Sequence, residues 1–167
     1  MTSTPRASAP ASPAATLERE LLEQIPLARA MALRIARHDR TTLTLAAPLA
    51  PNRNDKGCAF GGSLASLMTL AGWGLARLAL EADGLRADIY VQDSAIRYLA
   101  PVWQDFDAIA QPIAEADLDT FRATFAARGK ARLAVHCRVP LPDGGDAATL
   151  DAQFVALAPA RAAPAPA

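Results

Sequence analysis

The sequence predicts an α+β domain in which a curved antiparallel β-sheet wraps one long buried helix. The first observation is a run of nineteen uncharged residues, 58–76, long enough for a helix of about five turns. The second is a series of segments with alternating apolar and polar residues, two before that run and four after it, as in β-strands. The third is size, since 167 residues, 51% of them hydrophobic, suffice for one domain with a real core.

The two ends of the chain differ from this domain in composition. Residues 2–15 mix Ser, Pro and Ala with one charge, and residues 159–167 are an Ala/Pro run. Neither segment can bury enough apolar surface to offset the entropy lost on ordering. We therefore expect disordered tails at 1–15 and 159–167, and a single domain at 16–158.

Periodicity divides the domain into elements. A short amphipathic helix is predicted to begin with Thr16 as its cap and to end at Pro26, followed by a hairpin with its turn at 38–40. A central strand, 87–102, is expected after the uncharged run. The later elements are a strand at 106–110, a short helix with Leu118, Phe121 and Phe125 on one side, a strand at 133–139 and a last strand at 150–156.

A membrane span is the alternative for residues 58–76, because nineteen uncharged residues can cross a bilayer. Four glycines, two serines and a threonine lower the apolar content of this run, and no second segment resembles it. The amphipathic strands also need a core to wrap around. We therefore expect a core helix and no membrane partner.

Charge and cysteine content limit the function classes. Seventeen basic and seventeen acidic residues cancel, which gives no argument for a nucleic-acid partner. Cys58 and Cys137 lack the spacing of a zinc site or a redox pair, so no metal or cofactor is predicted. Since no secretory signal is evident and a reducing compartment suits two unpaired thiols, we expect a cytoplasmic location.

The segment 47–73, APLAPNRNDKGCAFGGSLASLMTLAGW, resembles the thioesterase family named after the C-terminal domain of YiiD. Residues 24–34 and 92–102 are also similar to that family. The resemblance implies the hotdog fold, hydrolysis of an acyl-CoA or acyl-carrier-protein thioester, and no cofactor. It also implies a homodimer joined edge to edge, which can stack into a tetramer, with each active site between subunits.

A more distant resemblance concerns the phenylacetic-acid type of acyl-CoA thioesterase. Asn54, Gly57, Gly61 and Gly62 are similar to its Asn-x-x-Gly-x-x-His-Gly-Gly pattern. In that group a backbone amide at the helix start binds the thioester carbonyl, and a carboxylate nine residues after the histidine acts on water or on the substrate. This chain has Phe60 at the histidine position and Thr69 at the carboxylate position. The residues that bind the carbonyl are therefore present, whereas the usual catalytic carboxylate is replaced.

The glycine pair also has a physical reason. The first turn of a helix has unpaired N–H groups and a partial positive charge, and glycine lets those groups approach an acyl oxygen closely. We assign Gly61 and Gly62 to this oxyanion-binding role, and Phe60 beside them to substrate binding. The alternative is that the two glycines only permit tight entry into the helix.

Polar side chains near the motif are candidates for handling water or the acyl chain. Ser63, Ser66 and Thr69 recur every three residues and lead toward Trp73, which predicts one polar stripe along the helix. We assign the serines and Trp73 to substrate binding and Thr69 to catalysis. In the structural alternative, each hydroxyl bonds the carbonyl one turn back.

Two carboxylates and one amide complete the predicted catalytic set. Asn54 can position a water or hold the loop, and Asp55 can act as general base or be a solvated turn residue. Asp93 interrupts the predicted central strand, where it is either catalytic or paired with Arg97, and Ser94 beside it is assigned to substrate binding.

Three functions are compared with these features. Thioester hydrolysis is favoured, and a non-catalytic domain that binds or senses acyl-CoA is the alternative, because Thr69 is not a carboxylate. A hydratase needs a histidine and an acid near the helix start, whereas His38 and His136 are predicted to lie in a turn and on a polar strand face.

Overall fold

The structure is a computed structural model that describes residues 11–159. Six strands form one antiparallel sheet in the order β1-β2-β4-β5-β6-β3. The strands are β1 (Arg34–His38), β2 (Leu43–Ala47), β3 (Asp88–Tyr98), β4 (Phe106–Pro112), β5 (Lys130–Pro140) and β6 (Asp146–Leu157). The helices are α1 (Pro13–Gln24), α2 (Pro26–Ala30), α3 (Gly61–Glu81) and α4 (Ala116–Arg128). The predicted order of two strands, one long helix and four strands is confirmed.

Helix α3 is the core around which the sheet is wrapped. It contacts β2, β3, β4, β5 and β6, and Leu67, Met68 and Leu75 are almost completely buried. By length and composition α3 could cross a membrane, with a mean hydropathy of 1.3, but 61% of its most apolar window is buried inside the protein. The predicted helix with a curved antiparallel sheet around it is thus confirmed, and this is the hotdog arrangement.

The hairpin of β5 and β6 supplies the largest inner face of the sheet. Its predicted alternation is confirmed, because Leu133, Val135, Cys137 and Val139 are all buried while the residues between them are not. Burial raises the pKa of the Cys137 thiol to about 12, so this thiol stays neutral at physiological pH. Cys137 is therefore a core residue rather than a nucleophile.

Strand β3 differs from its prediction in position and in phase. Among the described residues it pairs with β6 alone, so it lies at the edge of the sheet and is not a central strand. A bulge between Val91 and Asp93 shifts its register by one residue. Since cross-strand partners share a face, pairing with the buried Ala152 turns Ser94 inward, and pairing with Gln153 turns Asp93 outward.

The first helix begins earlier than predicted. Ser12, not Thr16, is its N-cap, and its hydroxyl accepts a hydrogen bond from the Ala15 N–H at 3.2 Å. Pro13 fits the first helical position because its missing N–H would have had no partner there. Residues 13–15 therefore belong to α1, whereas residues 1–10 and 160–167 of the predicted tails lie outside the described residues.

Candidate active site

The start of α3 presents two backbone donors without protein acceptors. Phe60 is the N-cap in an extended conformation, and its carbonyl accepts hydrogen bonds from the N–H groups of Ser63 and Leu64 at 2.9 and 3.1 Å. Within residues 11–159 no side chain caps this helix, and the N–H groups of Gly61 and Gly62 bond no acceptor. These N–H groups remain available to an anionic or carbonyl oxygen.

The loop before α3 is held by backbone hydrogen bonds on both sides. The Phe60 N–H donates to the Asn52 carbonyl at 2.7 Å, and the Ala59 N–H donates to the Val102 carbonyl at 2.8 Å. Gly57 has φ +90°, a conformation that glycine adopts without strain. The direction from which the chain enters α3 is therefore fixed by contacts with distant parts of the protein.

Asn52 is a buried residue of this loop that the sequence interpretation missed. Its side-chain amide donates to the carbonyls of Met31 at 2.9 Å and Pro48 at 2.8 Å, while its Oδ1 is buried without a partner among the described residues. Its sequence signal is a Pro-Asn pair at 51–52, which indicates a turn but not burial. Asn52 connects the loop to the segment before β1.

Two exposed aromatic rings flank the glycine pair. A Cβ atom on Gly62 would lie 2.3 Å from Cε1 of Phe60, and one on Gly61 would lie 3.3 Å from Cε1 of Tyr98. The Tyr98 hydroxyl also donates to the Gly61 carbonyl at 3.2 Å. Phe60 was expected at this place, whereas Tyr98 was not, because only the fold brings the end of β3 to the helix start.

The predicted amide and carboxylates occupy different positions. The Asn54 amide holds its own loop, with Nδ2 3.2 Å from Cys58 Sγ and Oδ1 accepting from the Lys56 N–H at 2.9 Å. Asp55 is exposed and paired with Lys56 at 2.9 Å. Asp93 is exposed on the outer face of the sheet, away from the helix start, and makes no ion pair with Arg97 in the described part of the chain, so the pairing given as its alternative role is not found.

The hydroxyl stripe is partly taken up by the helix itself. Ser66 Oγ donates to the Gly62 carbonyl at 2.7 Å, which is the structural alternative stated above. Ser63 and Thr69 are half-buried, and their side chains make no hydrogen bond within the described residues. Thr69 lies about 10 Å along the helix axis from Gly62, given a rise of about 1.5 Å per residue.

Trp73 belongs to the other half of α3. Its indole N–H donates to the Ile89 carbonyl at 3.0 Å, and the Arg77 guanidinium lies 5.5 Å from its ring centroid. Together with Arg77 and Tyr90 it lines a cavity of about 600 Å³ beyond the middle of the helix. In one protomer, therefore, Trp73 and the glycine pair do not meet.

Comparison with known proteins agrees with this arrangement. Residues 14–158 match the model of a family described as "Putative thioesterase (yiiD_Cterm)". The chain belongs to this thioesterase family. Its solved relatives include a protein of unknown function from Chlorobaculum tepidum, 30% identical with a TM-score of 0.80, covering 86% of this chain and 93% of that one. A structure titled as a putative thioesterase from Shewanella oneidensis is 28% identical with a TM-score of 0.74, covering 87% and 97%.

More distantly similar solved structures share the fold alone. A thioesterase from Haemophilus influenzae is 14% identical with a TM-score of 0.64, covering 86% of this chain and 91% of that one. Together these matches give this thioesterase-family chain a hotdog fold throughout residues 14–158.

Neither histidine of this thioesterase-family chain lies at the helix start. His38 ends β1, and His136 lies on the outer face of β5 with its Nδ1 2.6 Å from Asp151 Oδ1. No group of three metal-ligating side chains occurs in the described residues. The helix start therefore offers backbone donors, two aromatic rings and nearby hydroxyls, a set that suits binding of an uncharged carbonyl and of the oxyanion formed from it.

Proposed function

We propose that this chain hydrolyses acyl thioesters, with the acyl oxygen bound by the N–H groups of Gly61 and Gly62. The observation that carries the proposal is that two neighbouring glycine N–H groups, at the start of a 21-residue helix, bond no acceptor within residues 11–159. Water adds to the carbonyl carbon and makes an oxyanion, which both donors and the helix dipole stabilise. The C–S bond then breaks, and a carboxylic acid and a protonated thiol leave.

The substrate we propose is an acyl-CoA or an acyl carrier protein. The exposed rings of Phe60 and Tyr98 give the entrance an apolar surface on each side of the donors, which suits the thioester end of a pantetheine arm. The Ser63 and Thr69 side chains follow on the half-buried side of the helix, where an acyl group would lie. We place the reaction in the cytoplasm.

A homodimer is part of this proposal because, within residues 11–159 of one protomer, none of the candidate acids lies at the glycine pair. Asp55 is paired with Lys56, and Asp93 lies on the outer face of an edge strand. An edge of eleven residues that has no partner strand within residues 11–159 and exposes Val91 and Tyr98 is the kind of edge that pairs with a second chain. In a dimer joined there, the inward-facing Ser94 or the half-buried Thr69 of one subunit would position water at the helix start of the other.

The test uses one position and two substitutions. Proline fits the first helical position after an extended Phe60, and Gly61→Pro removes one N–H donor. Gly61→Ala adds a similar Cβ beside Tyr98 and keeps the donor, so it is the matched control. With a panel of acyl-CoAs and detection of free thiol, we expect Gly61→Pro to lower kcat about 10²- to 10³-fold relative to Gly61→Ala.

The second candidate function is acyl-CoA binding without turnover, which the threonine at position 69 and the ion-paired Asp55 favour. Bound acyl-CoA with no thiol release, unchanged in Asp55→Ala and Asp93→Ala, would support this candidate and reject hydrolysis. Equal activities of Gly61→Pro and Gly61→Ala would leave hydrolysis in place but reject the Gly61 donor.

A further inference from the structure

We propose that the Tyr98 hydroxyl strengthens the Gly62 N–H as an oxyanion donor, acting through the peptide group that joins Gly61 to Gly62. The Gly61 carbonyl and the Gly62 N–H are the two ends of one peptide unit. Tyr98 donates a hydrogen bond to the oxygen end at 3.2 Å, and the nitrogen end bonds no acceptor within residues 11–159. Tyr98 is thus a positioning residue, and its effect on catalysis rests on the proposed function.

The physical basis is the resonance of the peptide bond. A hydrogen bond to the carbonyl oxygen draws electron density from the nitrogen, so the N–H becomes a stronger donor. Cooperative strengthening of this kind is on the order of 10–30% per bond. Applied to one oxyanion donor, it corresponds to roughly two- to sevenfold in kcat.

The position of Tyr98 is set by the sheet and not by a ligand. Tyr98 pairs with the buried Ala148 of β6, so its side chain lies on the inner face of the sheet, toward α3. Directly after it, the N–H groups of Leu99 and Ala100 both donate to the Ala147 carbonyl, at 2.8 and 3.1 Å. The ring therefore lies against the Gly61 Cα before any substrate arrives.

The test removes the hydroxyl and keeps the ring. Tyr98→Phe is compared with Tyr90→Phe, which changes the other tyrosine of the chain, exposed on the same strand but distant from the helix start. Acyl-CoA hydrolysis and ¹H–¹⁵N spectra of the Gly62 amide are measured for both variants and the unmodified protein. In Tyr98→Phe we expect kcat to fall about two- to sevenfold with KM unchanged, the Gly62 proton to move upfield and its exchange to slow. Tyr90→Phe should leave both kcat and the Gly62 amide signal unchanged.

Each outcome decides the proposal. A Gly62 amide that is the same in Tyr98→Phe and in the unmodified protein overturns it, as does an unchanged kcat in an active enzyme. A rise in KM with constant kcat also overturns it, because it would mean direct contact of the hydroxyl with substrate. If the unmodified protein hydrolyses no thioester, thioester hydrolysis is rejected, and the Gly62 amide alone decides whether Tyr98 polarises this peptide. Equal thermal unfolding temperatures of Tyr98→Phe and Tyr90→Phe show that Tyr98→Phe keeps the fold.

Discussion

Asn52 determines the local structure of the loop before α3, although no candidate role depends on it. Its Nδ2 satisfies two carbonyls, those of Met31 and Pro48, and its own carbonyl accepts the Phe60 N–H. Its side chain is 2% exposed, so water cannot replace these bonds if the amide is removed. The loop is therefore held by this buried side chain in addition to the backbone hydrogen bonds of Ala59 and Phe60.

Asn52→Ala should lower the free energy of unfolding by about 2–4 kcal/mol, because the buried Met31 carbonyl and the partly buried Pro48 carbonyl lose their donor. Urea denaturation at fixed protein concentration measures the loss. Asn54→Ala is the control, since its half-buried amide meets a sulfur, a weak acceptor, and should cost about 1 kcal/mol or less. Equal losses in the two variants would show that the Asn52 hydrogen bonds do not hold the loop.

Single residues of the site were predictable only where a motif carries them. Gly61, Gly62 and Phe60 stand together in the sequence, and the structure brings them together at the helix start. Tyr98 and Asn52 were not predicted, because their roles depend on neighbours 37 and 21 residues away in the chain. A contact of that kind has no periodic or compositional signal.

Helix α3 contains glycines whose surroundings differ sharply. A Cβ on Gly72 would lie 2.6 Å from Cε2 of Phe154, a ring that is completely buried between α3 and the sheet. A Cβ on Gly62 would be even closer to Phe60, but that ring is 55% exposed and can rotate into solvent. The same chemical change should therefore have different effects in the middle and at the start of one helix.

Gly72→Ala should lower the free energy of unfolding by about 1–3 kcal/mol, because the core cannot move Phe154 away and the cost of overpacking exceeds the gain in helix propensity. Gly62→Ala, measured in the same urea titration, should change it by less than about 1 kcal/mol. A Gly72→Ala protein as stable as the unmodified one would mean that α3 and β6 can separate without cost. That result would contradict the close approach of helix and sheet.

Elements with regular periodicity were predicted well, and an element with an irregularity was not. Strands β5 and β6 alternate without interruption over the predicted spans 133–139 and 150–156, so their inward residues were correct there. In β3 one extra residue at the bulge puts Val91 and Ser94 on the same face, where strict alternation would put them on opposite faces. Alternation also does not reveal whether a strand has one neighbour or two, so β3 was wrongly placed in the centre of the sheet.

At the scale of the whole molecule, one long sheet edge has no partner strand among residues 11–159. Strand β3 is exposed along nearly its full length, and the exposed apolar side chains Val91, Tyr98 and Leu99 are at or near this edge. Soluble proteins protect such edges with charges, prolines or a partner strand. Asp93 and Arg97 are on the outer face and do not break the apolar inner face.

We predict that the protein is a dimer of about twice 17.5 kDa and that Val91→Lys makes it a monomer. A lysine at Val91 can extend into solvent in a single chain, but in a dimer it would place charge in the apolar part of the joined edge.

Ile113→Lys is the matched control, because Ile113 is equally an exposed apolar side chain but follows β4, away from the β3 edge. Light scattering at several protein concentrations gives the mass of each form. Loss of acyl-CoA hydrolysis together with the dimer in Val91→Lys, with both retained in Ile113→Lys, is expected if the partner supplies the residue that positions water. A monomeric unmodified protein that hydrolyses thioesters would contradict this, and the residue that positions water would then have to come from the same chain as the glycine pair.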